Sequence, residues 1–157
     1  MPHIDMTVEM LRAHGVEVTE NTGDRTAAEW IVAPGQIAAR DSVIEPDLSN
    51  AFPFLAAAMA TGGQITIPDW PEHSTQPGAQ LPQLLAEMGG RSEITAAGLR
   101  LQGPAELRGV NLDLSEVGEL TPVLAALCAL ANSPAQLRGI SHLRGHETDR
   151  LQADRKS

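Results

Sequence analysis

The sequence predicts an α/β fold built from repeated β-α-β-α-β-β units, with the series of units incomplete in this chain. Short stretches of alternating apolar and polar residues, typical of strands, are separated by apolar stretches of helical length that end at glycines. Two related segments, Asp47-Leu48-Ser49-Asn50 and Asp113-Leu114-Ser115-Glu116, each precede an alanine- and leucine-rich helix. Their recurrence indicates an internal repeat.

The first elements resemble the end of one unit. A helix is predicted over residues 6–14, where apolar residues recur among polar ones, and Gly15 is a natural helix end. Strands are predicted at residues 16–18 and 30–32, on either side of the turn Asn21-Thr22-Gly23-Asp24.

Residues 41–102 are predicted to form one complete unit. Its helix over residues 54–59 would be entered through Ser49 or Asn50 as the N-cap. We expect parallel strands beside crossover helices. The remaining elements are a strand at 42–44 that stops before Pro46, a strand at 64–67, a helix at 81–88, and a hairpin with strands at 94 and 99–101.

A third unit then begins. Strands are predicted at residues 110–114 and 137–140, with a helix at 120–130 between them and another helix after Gly145. We therefore expect the chain to start in the last part of one unit and to stop partway through a third.

Composition narrows the functional class. The 157 residues carry a net charge of −9 without a long basic run, which argues against a nucleic-acid surface and against binding to anionic lipid. The single cysteine, Cys128, lies in an apolar run and is interpreted as a small buried residue. The sequence shows no secretory signal and no apolar stretch of membrane-spanning length, so cytoplasm is the expected location.

The run Gly145-His146-Glu147-Thr148-Asp149-Arg150-Leu151 is the strongest candidate site. His146 and Arg150 are four positions apart and would share one face of a helix whose first turn presents free N–H groups. Arg150 suits a phosphate or carboxylate, and His146 can transfer a proton near neutral pH. The same residues would also suit an ordinary capped surface helix.

Glu119 is the second candidate. It follows Gly118 at the start of the predicted helix, and Pro122 fits the first helical turn. A carboxylate at this place is stabilised by the helix dipole, which explains it equally well without any function.

Three segments together resemble the 3-phosphoshikimate 1-carboxyvinyltransferase (enolpyruvylshikimate phosphate synthase) family, the actinobacterial branch in particular. They are Asp47-Leu48-Ser49-Asn50-Ala51, Val117-Gly118-Glu119-Leu120-Thr121-Pro122 and the run from His142 to Leu151. The resemblance extends over nearly the whole chain. It implies the two-domain enolpyruvyl transferase fold, an inside-out α/β barrel. Residues 1–45 would end one globular domain, and residues 46–157 would form part of the second.

The resemblance also implies a reaction. An enolpyruvyl group would pass from phosphoenolpyruvate to the 5-hydroxyl of shikimate 3-phosphate, with no cofactor and no metal. Glu119 would accept a proton and bind the shikimate moiety, and His146, where many relatives carry Lys, would contact the same substrate. Glu147 would be a proton-transfer partner, Arg150 would bind phosphoenolpyruvate, and His3 would lie near the shikimate phosphate.

Other interpretations stay open at this point. The chain could be a relative of the UDP-N-acetylglucosamine enolpyruvyl transferase, or a non-catalytic module that keeps the fold for binding or assembly. Partners other than the small-molecule substrates are limited to a homo-oligomer through the incomplete domain; neither nucleic acid nor membrane is expected.

The family's phosphate-binding Lys-rich, Gly-rich and Ser-Ser-Gln segments and its C-terminal Arg and Lys residues have no counterpart in this sequence. We therefore expect the purified 157-residue chain to be inactive on its own, because charges that hold the two phosphorylated substrates are missing. Phosphate release from the two substrates is the measurement. Turnover close to that of a complete enzyme would refute the expectation.

Overall fold

A computed structural model describes residues 2–24, 27–145, 149 and 151–152. The chain divides into two compact units, Met1–Ile44 and Glu45–Ser157. We call these the first unit and the second unit.

The first unit contains a helix and a two-stranded sheet. Helix α1 spans Pro2–Ala13, and Gly15 follows it with a φ of 80°, a backbone conformation that glycine adopts without strain. Strands β1 (Val18–Asn21) and β2 (Glu29–Val32) pair antiparallel. The predicted helix and both strands are confirmed, with ends displaced by a few residues.

The strand predicted at residues 42–44 is wrong. Residues 33–47 form neither helix nor strand, and Val43 and Ile44 are 97% and 79% exposed. β-branched residues favour extended backbone, but a strand also needs a neighbour to accept and donate its ladder hydrogen bonds. No described strand pairs with this segment.

The described part of the second unit contains the α-helices α2 (Leu48–Thr61), α3 (Leu81–Glu87) and α4 (Thr121–Ala129). All three were predicted: α2 over a shorter range, and α3 and α4 over ranges slightly longer than observed. Gly62 ends α2 in the left-handed conformation, as expected. The predicted N-cap was wrong: Asp47, not Ser49 or Asn50, caps α2, because its carboxylate accepts the backbone N–H of Asn50.

Two sheets lie in the second unit. Strands β3 (Gln64–Ile67), β4 (Arg91–Thr95) and β5 (Gly98–Gln102) form an antiparallel sheet in the order β3-β5-β4. Strands β6 (Asn111–Asp113) and β7 (Gln136–Arg138) pair parallel, with α4 as the crossover between them.

The strand directions correct part of the sequence prediction. Among the described strands, the expected parallel arrangement holds for β6 and β7, whereas β3 and β5 pair antiparallel. The predicted hairpin of β4 and β5 is confirmed. The turn between β4 and β5 has just two residues, Ala96 and Ala97, and so short a connection can join only antiparallel strands. The helix predicted after Gly145 falls mostly outside the described residues.

The core of the second unit is aliphatic, as the low aromatic content requires. Helices α2 and α4 pack against each other, α2 also packs against β3 and β5, and the partly buried Cys128 packs against the same core. Burial raises the pKa of the Cys128 thiol. The largest fully buried side chains are Leu48, Phe52, Leu55, Met59, Leu81, Leu85, Met88, Leu99, Leu101, Leu114, Leu120 and Leu124.

The hairpin offers a matched test of this core. Leu99 and Ile94 are direct cross-strand partners, but Leu99 is 1% exposed and Ile94 is 51% exposed. We expect Leu99→Ala to lower the free energy of unfolding by about 3 kcal/mol, because it leaves a cavity in the core. Ile94→Ala should cost about 1 kcal/mol, since little buried surface is lost. Urea denaturation measures both, and equal losses would contradict the packing described.

Candidate active site

The start of α2 is held by its own cap. The Asp47 carboxylate accepts the backbone N–H of Asn50 at 2.9 Å through Oδ1 and the Asn50 side-chain amide at 2.8 Å through Oδ2. A carboxylate here satisfies one free N–H of the first turn and complements the helix dipole. The recurring Asp-Leu-Ser motif therefore has a structural role at its first position.

Gln76 braces the same helix start from a neighbouring loop. Its side-chain oxygen accepts the backbone N–H of Leu48 at 2.9 Å. Its amide nitrogen donates to Glu45 Oε1 at 2.9 Å and to the carbonyl of Pro46 at 3.0 Å. The bond from Gln76 is the main cause of a lowered pKa of the Glu45 carboxyl.

Gly78 lets this loop approach closely. It lies in the 3-10 turn Pro77–Gln80, and a Cβ at this position would come within 2.6 Å of Leu48 Cβ and 2.8 Å of the Ser49 nitrogen. Any larger residue would push the loop away from α2. The first turn of α2 is thus fixed by a cap and by a tightly packed turn.

Glu119 meets this helix start. It is half-buried in the 3-10 turn Gly118–Leu120 that leads directly into α4. The Ser49 hydroxyl donates to Glu119 Oε1 at 2.5 Å. The pair joins the first turn of α2 to the turn that opens α4, and the free N–H groups of helix starts favour anionic ligands.

Another 3-10 segment, Ser141–Gly145, packs against Gly118, the residue before Glu119. Leu143, 1% exposed, anchors it, and the His142 ring lies directly against Gly118: a Cβ on Gly118 would overlap His142 Nε2. His142 was missed as a site residue in the sequence analysis, although it begins the last of the three family-like segments. The sequence feature that could have indicated His142 is Gly118, whose missing side chain leaves room for the imidazole ring. The structure is needed to show that the two residues are in contact.

Thr121, the first residue of α4, has a buried side chain. It is 2% exposed, and within the described part of the chain its hydroxyl has no hydrogen-bond partner. Burying a hydroxyl without a hydrogen-bond partner costs free energy, so such groups are uncommon in folded proteins. Thr121 is one of them, and it lies close to Glu119 in the sequence.

The other predicted site residues are placed as follows. His146, Glu147 and Arg150 lie outside the described residues. His3 is exposed on α1 of the first unit, where its backbone carbonyl accepts the Thr7 hydroxyl at 2.9 Å. The structure thus describes the surroundings of Glu119 in the second unit and of His3 in the first unit.

A cavity of about 540 Å³ in the second unit lies away from Glu119. Its lining includes Gly89, just after α3, and Asn132, just after α4, so it lies where these helices end. The C-terminal end of a helix carries a partial negative charge, and the positive side chains of Arg91 and Arg108 in the lining complement it.

The described residues form no helix that is both long and apolar enough to cross a bilayer. Nor do they contain a group of three or more His, Cys, Asp or Glu side chains arranged to hold a metal ion.

The sequence model of one family, described as EPSP synthase (3-phosphoshikimate 1-carboxyvinyltransferase), matches residues 1–155. This chain belongs to the EPSP synthase family. The resemblance inferred from the three segments is thereby confirmed.

A curated relative supports the family. The chain is 54% identical over 153 residues to a 3-phosphoshikimate 1-carboxyvinyltransferase from Kocuria rhizophila. The match covers 98% of this chain but 34% of the relative, so the chain spans about a third of that protein's length.

Solved structures confirm the fold. An EPSP synthase from Acinetobacter baumannii matches with a TM-score of 0.71 and 22% identity, over 96% of this chain and 35% of that one. The enolpyruvyl transferase NikO from Streptomyces tendae matches with a TM-score of 0.59 and 24% identity, over 87% and 33%. At these identities the likeness concerns the fold alone, which is the enolpyruvyl transferase fold expected from the sequence.

The hydrogen bonds of Gln76 predict that the stability of the fold depends on pH. Gln76→Ala should lower the free energy of unfolding near neutral pH by about 2 kcal/mol, because the Leu48 N–H and the Glu45 carboxylate lose their partner. The folded-state pKa of Glu45 lies below its unfolded value, so its contribution is present above the unfolded pKa. That contribution is lost as the pH falls through the folded pKa.

The stability difference between wild type and Gln76→Ala should therefore shrink in acid, and the pKa of Glu45 should rise in the variant. Denaturation at several pH values and NMR titration of Glu45 measure the two effects. Gln80→Ala is the matched control, since Gln80 is exposed in the same turn and its side chain caps no helix. An unchanged Glu45 titration in Gln76→Ala would contradict the brace.

Proposed function

We propose that this chain provides part of the active site for enolpyruvyl transfer from phosphoenolpyruvate to the 5-hydroxyl of shikimate 3-phosphate. The observation that carries the proposal is the placement of Glu119. It is half-buried at the junction of two helix starts and is held there by Ser49. Membership of the EPSP synthase family supports the choice of reaction.

Glu119 has the properties that a proton acceptor needs. The Ser49 hydroxyl donates to Oε1 and orients the carboxylate. A carboxylate has several lone pairs on its two oxygens, so it can accept more than one hydrogen bond, including one from a substrate hydroxyl. We propose that Glu119 binds the shikimate moiety and takes the proton of the attacking hydroxyl. The N–H groups of the nearby helix starts favour the negative charge of phosphorylated substrates.

The remaining roles rest on sequence motifs. His146 would contact the shikimate substrate, Glu147 would take part in proton transfer, and Arg150 would bind phosphoenolpyruvate through its planar guanidinium. His3 would contact shikimate 3-phosphate from the first unit. Residues 1–45 would belong to one globular domain and residues 46–157 to the other, and the reaction would take place in the cytoplasm.

A chimera tests the proposal. This chain would replace the matching third of the Kocuria rhizophila relative, which the 54% identity makes a conservative exchange. We expect the chimera to release phosphate from the two substrates. Glu119→Gln should lower kcat by about a thousandfold, because general base catalysis is lost while the shape of the side chain is kept.

Two further variants sharpen the comparison. Glu87→Gln removes an exposed carboxylate at the end of α3 and should leave kcat near that of the parent chimera. Arg150→Ala should mainly raise the KM for phosphoenolpyruvate, by about tenfold to a hundredfold. A folded but inactive parent chimera would refute the proposed function and favour a non-catalytic module. Full activity in Glu119→Gln would refute the proposed role of Glu119 as the proton acceptor.

A further inference from the structure

We propose that Ser49 is a positioning residue for catalysis: its hydroxyl holds Oε1 of Glu119 so that the substrate proton is accepted at Oε2. The inference deepens the proposed function and rests on it. Ser49 would act through Glu119 without having to touch either substrate.

The contact between the two side chains is short and connects distant parts of the chain. The Ser49 Oγ to Glu119 Oε1 distance is 2.5 Å, and 70 positions separate the two residues in the sequence. A hydrogen bond from a hydroxyl to an ionised carboxylate belongs to the charge-assisted class, which is about twice as strong as bonds between neutral groups. Both residues are half-buried, so bulk water competes less for the carboxylate oxygen than at an exposed site.

The Ser49 backbone is itself firmly held. Asp47 caps the helix just before it, Gln76 binds the N–H of Leu48, and Gly78 packs against the Ser49 nitrogen. Leu48, next to Ser49, is completely buried. A serine side chain has a single heavy-atom torsion, so a fixed backbone leaves its hydroxyl few alternative positions.

Occupation of one oxygen has a chemical consequence. A carboxylate offers two equivalent oxygens and can rotate, so an unheld glutamate would present either oxygen in several orientations. With Ser49 on Oε1, the O–H bond of the attacking substrate hydroxyl breaks and its proton passes to Oε2. The hydroxyl oxygen forms the new bond to C2 of phosphoenolpyruvate, and the π pair of the C2–C3 double bond moves to the methylene carbon, which takes a proton from a general acid. Orientation of this kind contributes to kcat rather than to binding.

A purely structural role for Ser49, as a tie between α2 and the turn that opens α4, predicts something different. A purely structural contact affects the free energy of unfolding, and other packing can replace it. A positioning hydroxyl affects kcat, and it must be present as a hydrogen-bond donor. Comparison of variants in the active chimera separates the two roles.

We expect Ser49→Ala to lower kcat roughly tenfold to a hundredfold, the effect of losing one hydrogen bond to a charged group, with the KM for shikimate 3-phosphate changed by less than about threefold. Ser49→Thr keeps the hydroxyl and should restore kcat to within about threefold of the parent. Asn50→Ala is the matched control, because it weakens the same helix turn through the hydrogen bond of Asn50 to the Asp47 carboxylate and leaves the Ser49 hydroxyl in place.

A double variant provides the decisive comparison. If Ser49 acts through Glu119, Ser49→Ala should cause no further loss of kcat when Glu119→Gln is already present. Ser49→Cys, similar in volume but a weak donor, replaces Ser49→Ala if thermal unfolding shows that the alanine variant does not fold.

The outcomes distinguish this inference from the proposed function. An active parent chimera with unchanged kcat in Ser49→Ala overturns the positioning role and leaves the proposed function intact. Equal losses of kcat in Ser49→Ala, Ser49→Thr and Asn50→Ala, or a full further loss in the double variant, also overturn it. A folded, inactive parent chimera overturns both.

Discussion

The first turn of α2 is the constraint on which the site depends. Asp47 caps it, Gln76 and Gly78 press a loop against it, and Ser49 reaches from it to Glu119. Asp47 and Gln76 each bind a backbone N–H that the helix start leaves unsatisfied, and Gly78 leaves a space that any other residue would fill. Because the turn is held from several sides, Ser49 can hold the Glu119 carboxylate in one place.

The repeat explains why two helix starts meet at Glu119. The Asp-Leu-Ser motif recurs as Asp113-Leu114-Ser115, just before the turn that carries Glu119. There the Asp113 carboxylate accepts the N–H of Ser115 at 3.0 Å, which lowers the pKa of Asp113. Equivalent positions have thus taken different tasks: one motif caps α2 and supplies Ser49, and the other orders the loop before Glu119.

Local patterns predicted most elements but few of the contacts that build the site. The glycine ends of α1 and α2 and the hairpin of β4 and β5 depend on neighbouring residues and were found. The strand at 42–44 failed because strand formation depends on a distant partner. The cap was misassigned because several residues near the start of α2 can serve as caps.

The candidate site was predictable only in part, because short motifs depend on neighbouring residues whereas the contacts of the site join distant ones. Motifs made Glu119 a candidate, because it lies beside a glycine at a helix start. The contacts of Glu119 with Ser49 and of Gly118 with His142 join segments far apart in the chain, and no periodicity reveals such pairs. The positioning of Glu119 is therefore a property of the fold that the sequence alone did not show.

The most direct test of this account is an experimental structure of the chimera with shikimate 3-phosphate bound. We predict that Glu119 Oε2 lies within hydrogen-bond distance of a hydroxyl of the shikimate ring while Oε1 keeps its bond to Ser49. A substrate bound away from Glu119, or a Glu119 side chain turned away from Ser49 in the complex, would contradict it.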